Sequence, residues 1–323
     1  MKKYVRHIIT AVIAFACVIV LNFALPRLMP GDPVHLLTGS DVDVISQETY
    51  DYYYTALGLD KPLAEQFGMY LASLFDGSFG YSYHYNMTVA ELMSGRLAVT
   101  MQIALPAVVF SALLAVLLGL AAVGRKRRVL DTALTSVNVF VQAVPAFLIA
   151  MVLLMVFSFR LGWFPYGNLS SPDASGAGFF ADRVWHLFLP VLTLTLAYTP
   201  SKYLLMRNTA AAAADEKYTL YARARGLSSG RINLRYVFRN ICQPFVTMVG
   251  TGLGAVFGGS VVVEMIFSVN GMGELIASAI TDRDYPVLQG CLFVIALITV
   301  VACIVTDIIC ILLEPRAGKR GDV

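Results

Sequence analysis

The sequence predicts an all-α integral membrane protein with six transmembrane helices and both termini in the cytoplasm, and three observations carry that prediction. Of its 323 residues, 58% are apolar and a further 25 are glycine. Together these make up about two thirds of the chain, against roughly 45–50% in a soluble domain. Six stretches carry no charged residue: His7 to Pro26, Leu97 to Gly124, Thr132 to Phe159, Val184 to Ser201, Asn240 to Val263 and Tyr285 to Thr306, with lengths of 20, 28, 28, 18, 24 and 22 residues. At 1.5 Å per residue, each is about long enough to cross a hydrocarbon core of roughly 30 Å. With the N-terminus inside, 17 basic residues fall on inner segments and 6 on outer ones, and Lys and Arg near span ends stay on the cytoplasmic side. This composition, with a net charge of only +3, excludes a soluble enzyme, a disordered chain, a collagen-like fibre and a nucleic-acid binder.

Residues 1–28 form the first span. Lys2, Lys3, Arg6 and the small residues of Ala14-Phe15-Ala16 also resemble a secretory signal, but apolar sequence continues past Ala16 to Leu25, so the segment reads as a retained helix. Residues 29–96 form an extracytoplasmic segment too long for a turn. Tyr50 to Leu57 and Leu63 to Phe75 have helical spacing, and Tyr81, Tyr83 and Tyr85 alternate with polar residues. Those tyrosines suit an aromatic belt at the headgroups, or a docking surface for a soluble partner. Residues 97–313 hold the other five spans. A second outer loop, Gly162 to Arg183, is rich in Gly, Ser and Pro. The cytoplasmic segment 207–239 contains an alanine run, an acidic pair and then Tyr218 to Leu227, which reads as a short amphipathic helix ending at Gly226. Residues 314–323 are a basic cytoplasmic tail.

The motifs narrow the chemistry. No G-x-x-x-x-G-K-S/T loop occurs, so any ATP hydrolysis belongs to another chain. Gly250, Gly254 and Gly258 are spaced by four inside an apolar span, as in a stripe where another helix approaches closely. The four histidines stand singly and the five cysteines lie in spans, which predicts neither a metal site nor a disulfide framework. Lys202, Glu264 and Asp307 are ionisable groups near membrane depth. Lys202 and Asp307 lie at matched depth on helices running inward, which suits a structural ion pair or, alternatively, a gate or proton site. Glu264, near the outer surface, is open to solvation. Pro106, Pro145, Pro190, Pro200 and Pro244 predict kinked helices around a pathway.

Taken together, the motifs resemble, over essentially the whole chain, the permease subunits of bacterial ATP-binding-cassette importers of the dipeptide, oligopeptide and nickel family. The matching residues are Pro30-Gly-Asp-Pro33, Leu57-Gly-Leu-Asp-Lys-Pro-Leu63, Leu161-Gly-Trp-Phe-Pro165, Ala222-Arg-Ala-Arg-Gly-Leu227, Arg239-Asn240 before Pro244, Val263-Glu264 with Phe267, Arg283-Asp-Tyr-Pro-Val-Leu-Gln-Gly290 and Glu314-Pro-Arg316. The resemblance implies that Tyr218, Leu220, Tyr221, Ala222, Arg223, Arg225, Gly226 and Leu227 form a coupling helix that docks on an ATPase subunit. It further implies a homologous second permease, two ATP-binding subunits, an extracytoplasmic substrate-binding protein and a surrounding bacterial inner membrane. ATP and Mg would bind the partner subunits and no cofactor would bind this chain. The substrate expectation is a di- or oligopeptide, with nickel or a nickel chelate as the alternative. A stand-alone secondary transporter is the reading from another class, and it would need Lys202 and Asp307 as ion couplers. The chain departs from the family pattern in Leu220 and Tyr221, where the general loop has Glu and Ala. It departs again in Val269-Asn-Gly271, where Trp-Pro-Gly is common, and in Leu148, where an aromatic is usual.

Overall fold

The computed structural model describes residues 2–28, 34, 46–122, 128–176 and 178–313. Pro30 to Pro33, Arg125 to Arg127 and the 314–323 tail lie outside the described residues. In chain order the helices are α1 (Lys2–Leu28), α2 (Gln47–Ala56), α3 (Leu63–Phe75), α4 (Val89–Ala122), α5 (Arg128–Ala143), α6 (Ala146–Leu153), α7 (Gly178–Ala214), α8 (Lys217–Ala224), α9 (Ser229–Ile232), α10 (Phe238–Ile266), α11 (Met272–Thr281) and α12 (Tyr285–Leu313). Wider π turns extend α6 over Leu154–Arg160 and join α9 to α10 over Asn233–Val237. The one departure from an all-helical chain among the described residues is a two-stranded antiparallel hairpin. Its strands, β1 (Tyr81–Ser82) and β2 (Met87–Thr88), pair Tyr81 with Thr88 and Ser82 with Met87. The chain divides into two compact units, Met1–Thr100 with Asn270–Val300, and Met101–Val269 with Val301–Val323.

In the first unit, Val89 and Met93 of α4 pack with Met272, Leu275, Val287 and Cys291 in a buried apolar cluster. Polar ties surround it. Arg96 pairs with Glu274, and Asn22 on the apolar α1 donates to the Tyr70 hydroxyl at 3.0 Å and the Gln289 carbonyl at 2.7 Å. Ser82 donates to the Asp284 carboxylate, whose other oxygen accepts from the Val287 amide at 3.3 Å. Burial still dominates there and holds the Asp284 pKa above its ordinary value. Helix α2 begins earlier than its spacing suggests, because the Ser46 hydroxyl accepts from the Thr49 amide and caps the first turn. Tyr83 meets Tyr53 and Tyr81 edge to face, at 5.7 and 5.2 Å, and donates to the Ala56 carbonyl. Tyr83 therefore ties β1 to the end of α2.

The second unit is built on α7, whose 37 residues extend about 55 Å. It is longer than the expected span, beginning inside the expected outer loop and absorbing the alanine run as its last turns. Among the described residues, α4, α7, Ile241–Ile266 of α10 and Tyr285–Cys310 of α12 are each long and apolar enough to cross a membrane. In α1 the described apolar run is Ile13–Leu25.

The expected third span, Thr132 to Phe159, is not one straight helix. It divides at Pro145, and the two arms meet at 98°. Proline has no amide hydrogen to continue the helix, and Pro145 turns extended with ψ at 142°. Its carbonyl then starts the second arm by accepting from Leu148 and Ile149. The bent pair nevertheless crosses the length of α7. Asp131 of α5 is bound to Arg207, whereas Phe164, just beyond α6, stacks on Trp185 at 4.4 Å. Arg207 and Trp185 are 22 residues apart, about 33 Å along the helix. Pro106, Pro190, Pro200 and Pro244 lie inside helices that continue through them.

Candidate coupling site

Helix α8 is short because both ends are specified. Glu216 is extended, with ψ at 151°, and its carbonyl accepts from Thr219 and Leu220. At the other end the Leu227 amide donates to the Ala222 carbonyl at 3.3 Å and the Gly226 amide to Arg223 at 2.9 Å, the paired bonds of a Schellman stop. Gly226 holds φ at +76°, a left-handed conformation that costs a side-chain-bearing residue about 1–2 kcal/mol.

The helix has one inward face. The Thr219 hydroxyl donates to the Ala213 carbonyl at 2.9 Å. Ala222, only 3% exposed, packs with Ala213, Ala214, Ile232 and Val237. The Ala222 methyl is thus covered by its own chain. The outward side chains are Leu220 and Tyr221, 63% and 68% exposed, with Arg223 and Arg225 beside them. Tyr218 is half-buried, and desolvation, with Glu216 nearby, pushes its phenol pKa up, so it stays a neutral donor.

Above this helix, Arg207 grips Asp131 through Nε at 2.9 Å and Nη2 at 2.5 Å, a bidentate pair joining α7 to α5. One turn further in, the hydroxyls of Thr135 and Tyr203 are 3.0 Å apart. The Asn233 amide reaches the Leu120 carbonyl at 3.3 Å and ties the π turns before α10 to the end of α4. The segment carrying α8 is thus fastened to three helices. None of these pairings was read from the sequence. The only available signal was that Asp131 and Arg207 are charges standing at span boundaries.

The intramembrane residues fall differently from expectation. Lys202 and Asp307 form no ion pair. Lys202 is 2% exposed and its ammonium donates to the Ser111 hydroxyl at 3.0 Å and the Tyr198 carbonyl at 3.4 Å, while Asp307 is exposed. Matched depth does not fix helix rotation, and the two side chains project in different directions. Glu264 is fully buried, not solvated. The glycine stripe is not a single packing face either. A Cβ on Gly250 would overlap Thr306 of α12, but one on Gly258 would meet open space, and it is Gly259 that receives the Tyr198 ring.

Two family models cover the chain. The N-terminal model of binding-protein-dependent transport system membrane components matches residues 1–104. The model of the binding-protein-dependent transport system inner membrane component matches residues 111–319. The chain belongs to this inner membrane component family.

Among relatives of this permease, the dipeptide transport system permease protein DppB of Lactococcus lactis subsp. cremoris is 30% identical over 320 residues, covering 98% of this chain and 99% of that one. The oligopeptide transport system permease protein AppB of Bacillus subtilis is 29% identical over 313 residues, covering 97% and 98%. The permease is a multi-pass inner membrane protein and the membrane component of an ABC importer, not itself catalytic. Such a component works with ATPase and substrate-binding partners.

Proposed function

We propose that this chain forms half of the translocation pathway of an importer for di- or oligopeptides. In this reading it pairs with a homologous permease, two ATP-binding subunits and an extracytoplasmic binding protein, crosses the membrane six times with both termini inside, and leaves ATP and Mg to its partners. The observation that carries the reading is α8. It is a rigid helix ended by Gly226 and fastened through Thr219 and Ala222, and it presents Leu220, Tyr221 and Arg225 outward. A mechanical coupler needs this division, since force passes to the spans only through an inward face that does not slip.

The pathway wall is best supplied by α10. Between Gln243 and Gly258 its exposed residues include Gln243, Thr247, Thr251, Ala255 and Gly258, small or polar at helical spacing, while nearer its end Val262 and Met265 are exposed. The exposed residues of α4 beyond Ala98, by contrast, are Leu105, Val109, Phe110, Leu113 and Leu117. A lipid-facing surface suits the second set.

The names of the relatives favour peptides over nickel. The separation of Lys202 from Asp307 removes the ion-coupling pair that a stand-alone carrier needs. The test is uptake in cells lacking the importer and complemented with the full set of subunits. Labelled di- and oligopeptides should accumulate, nickel should not, and Tyr221→Asp should abolish uptake by weakening recovery of the ATPase with the permease. Nickel uptake without peptide uptake would reverse the substrate assignment.

A further inference from the structure

The stretch between α6 and α7 is the part of the second unit whose role the sequence leaves unread. It is folded onto the unit. The Ser158 hydroxyl donates to the Pro165 carbonyl at 3.0 Å, and the amide and hydroxyl of Ser171 donate to the Asp182 carboxylate at 2.7 and 2.8 Å. The Asn168 amide donates to the Phe267 carbonyl at 3.2 Å, and Gly167 lies so close to Phe267 that no Cβ would fit. Phe164 stacks between Trp185 at 4.4 Å and Phe188 at 4.8 Å.

Around this frame Phe159, Leu161, Trp163, Tyr166, Phe180 and Trp185 are all exposed, from 44% at Leu161 to 76% at Phe180. So many exposed aromatic and apolar side chains gathered on one folded loop and the helix ends beside it are not left to water. Both tryptophans of the chain are among them. They continue the stripe Leu148, Met151, Val152, Met155 and Phe159 along α6 and its π turns, which is bulky, exposed and uncharged. Arg160 follows that stripe directly and is exposed. The far end of α7 supplies a ruler. The Arg207–Asp131 pair lies about 33 Å from Trp185 along the helix, matching a hydrocarbon core of roughly 30 Å. Charges mark one boundary and aromatics the other, as at the two faces of a bilayer.

We infer that the aromatic surface of residues 159–188 sits in the headgroup region of the leaflet opposite α8, with lipid as its occupant, and anchors the ends of α6 and α7 there. Trp163, Tyr166 and Trp185 lie at the level where amphipathic rings are favoured, and Arg160 extends to the phosphates. Through Gly167, Asn168 and Phe267 the same anchor holds the end of α10 that carries Glu264.

The full importer in lipid nanodiscs supplies the test. The difference in emission between the parent and Trp163→Phe complexes isolates Trp163. Lipids brominated near the head of the acyl chain should reduce that signal about twofold or more, tail-brominated lipids less, and aqueous iodide little. Strong iodide quenching with no lipid effect would overturn the proposal, because the loop would then be in water. Loss of lipid quenching on adding the binding protein would overturn it in favour of a protein partner. If Trp163→Phe assembles poorly, Tyr166→Trp read against the parent gives the same measurement from a neighbouring position.

Discussion

The two ends of α7 lead into short segments that do not span, and their surfaces differ. Beyond Ala214, α8 exposes Leu220 and Tyr221 between Arg223, Arg225 and the acidic Glu216. Before Gly178, residues 159–166 expose Phe159, Leu161, Trp163 and Tyr166 with Arg160 the single charge among them. An exposed apolar side chain is therefore uninformative until its neighbours are read. Apolar groups set among charges remain soluble until a partner covers them, whereas an aromatic surface with a single charge at the end of a span suits the headgroup level inferred above. The inward sides also differ. The loop is held by ring stacking and by hydroxyl and amide bonds to a carboxylate, while α8 is held by a methyl and a hydroxyl against alanines, which leaves no room for adjustment.

The most damaging change to that comparison should be Ala222→Trp. A bulky ring at a 3% exposed position should cost about 1–3 kcal/mol or more of local stability. Proteolysis of residues 207–239 should rise and transport should be lost, with the chain still inserted. Transport at the parent rate would show that α8 is not seated through Ala222. Next is Gly226→Val, which forces a β-branched residue into a left-handed conformation at about 1–2 kcal/mol. The complex should assemble, yet substrate should no longer stimulate ATP hydrolysis. Gly226→Asn should be milder, since asparagine tolerates this region.

Smaller again is the clamp between α5 and α7. Arg207 and Asp131 are 33% and 22% exposed, so their coupling in a double-mutant cycle should be about 1 kcal/mol, discounted for partial solvent screening. Simple additivity in thermal melts would mean that the pair only marks the boundary. The smallest stability effect, within about 0.5 kcal/mol, is expected for Leu220→Ser and Tyr221→Ser, which touch little of their own chain. Both should nevertheless weaken recovery of the ATPase with the permease, while Trp163→Ser at the other end should leave that recovery unchanged. Equal effects from the two ends would erase the distinction between a protein-facing and a lipid-facing surface.

By itself the sequence determined what is local. Long uncharged runs imply membrane helices because unpaired charge is costly in hydrocarbon. The spacing of Leu63 to Phe75, and the stop at Gly226 after Tyr218 to Ala224, follow from side-chain periodicity and backbone sterics within a few residues. The tertiary structure decided what depends on how distant helices rotate and slide against one another. Composition shows Thr132 to Phe159 as one apolar run, but whether Pro145 bends it or sits inside a continuous helix, as Pro190 and Pro200 do, depends on which neighbours take up the freed carbonyls. Ala222 and Tyr221 are adjacent in the chain, and only packing against Ala213, Ala214 and Val237 makes one inward and the other outward. Lys202 found Ser111, 91 residues away, and not Asp307, because equal depth fixes a helix along its axis and leaves its rotation free.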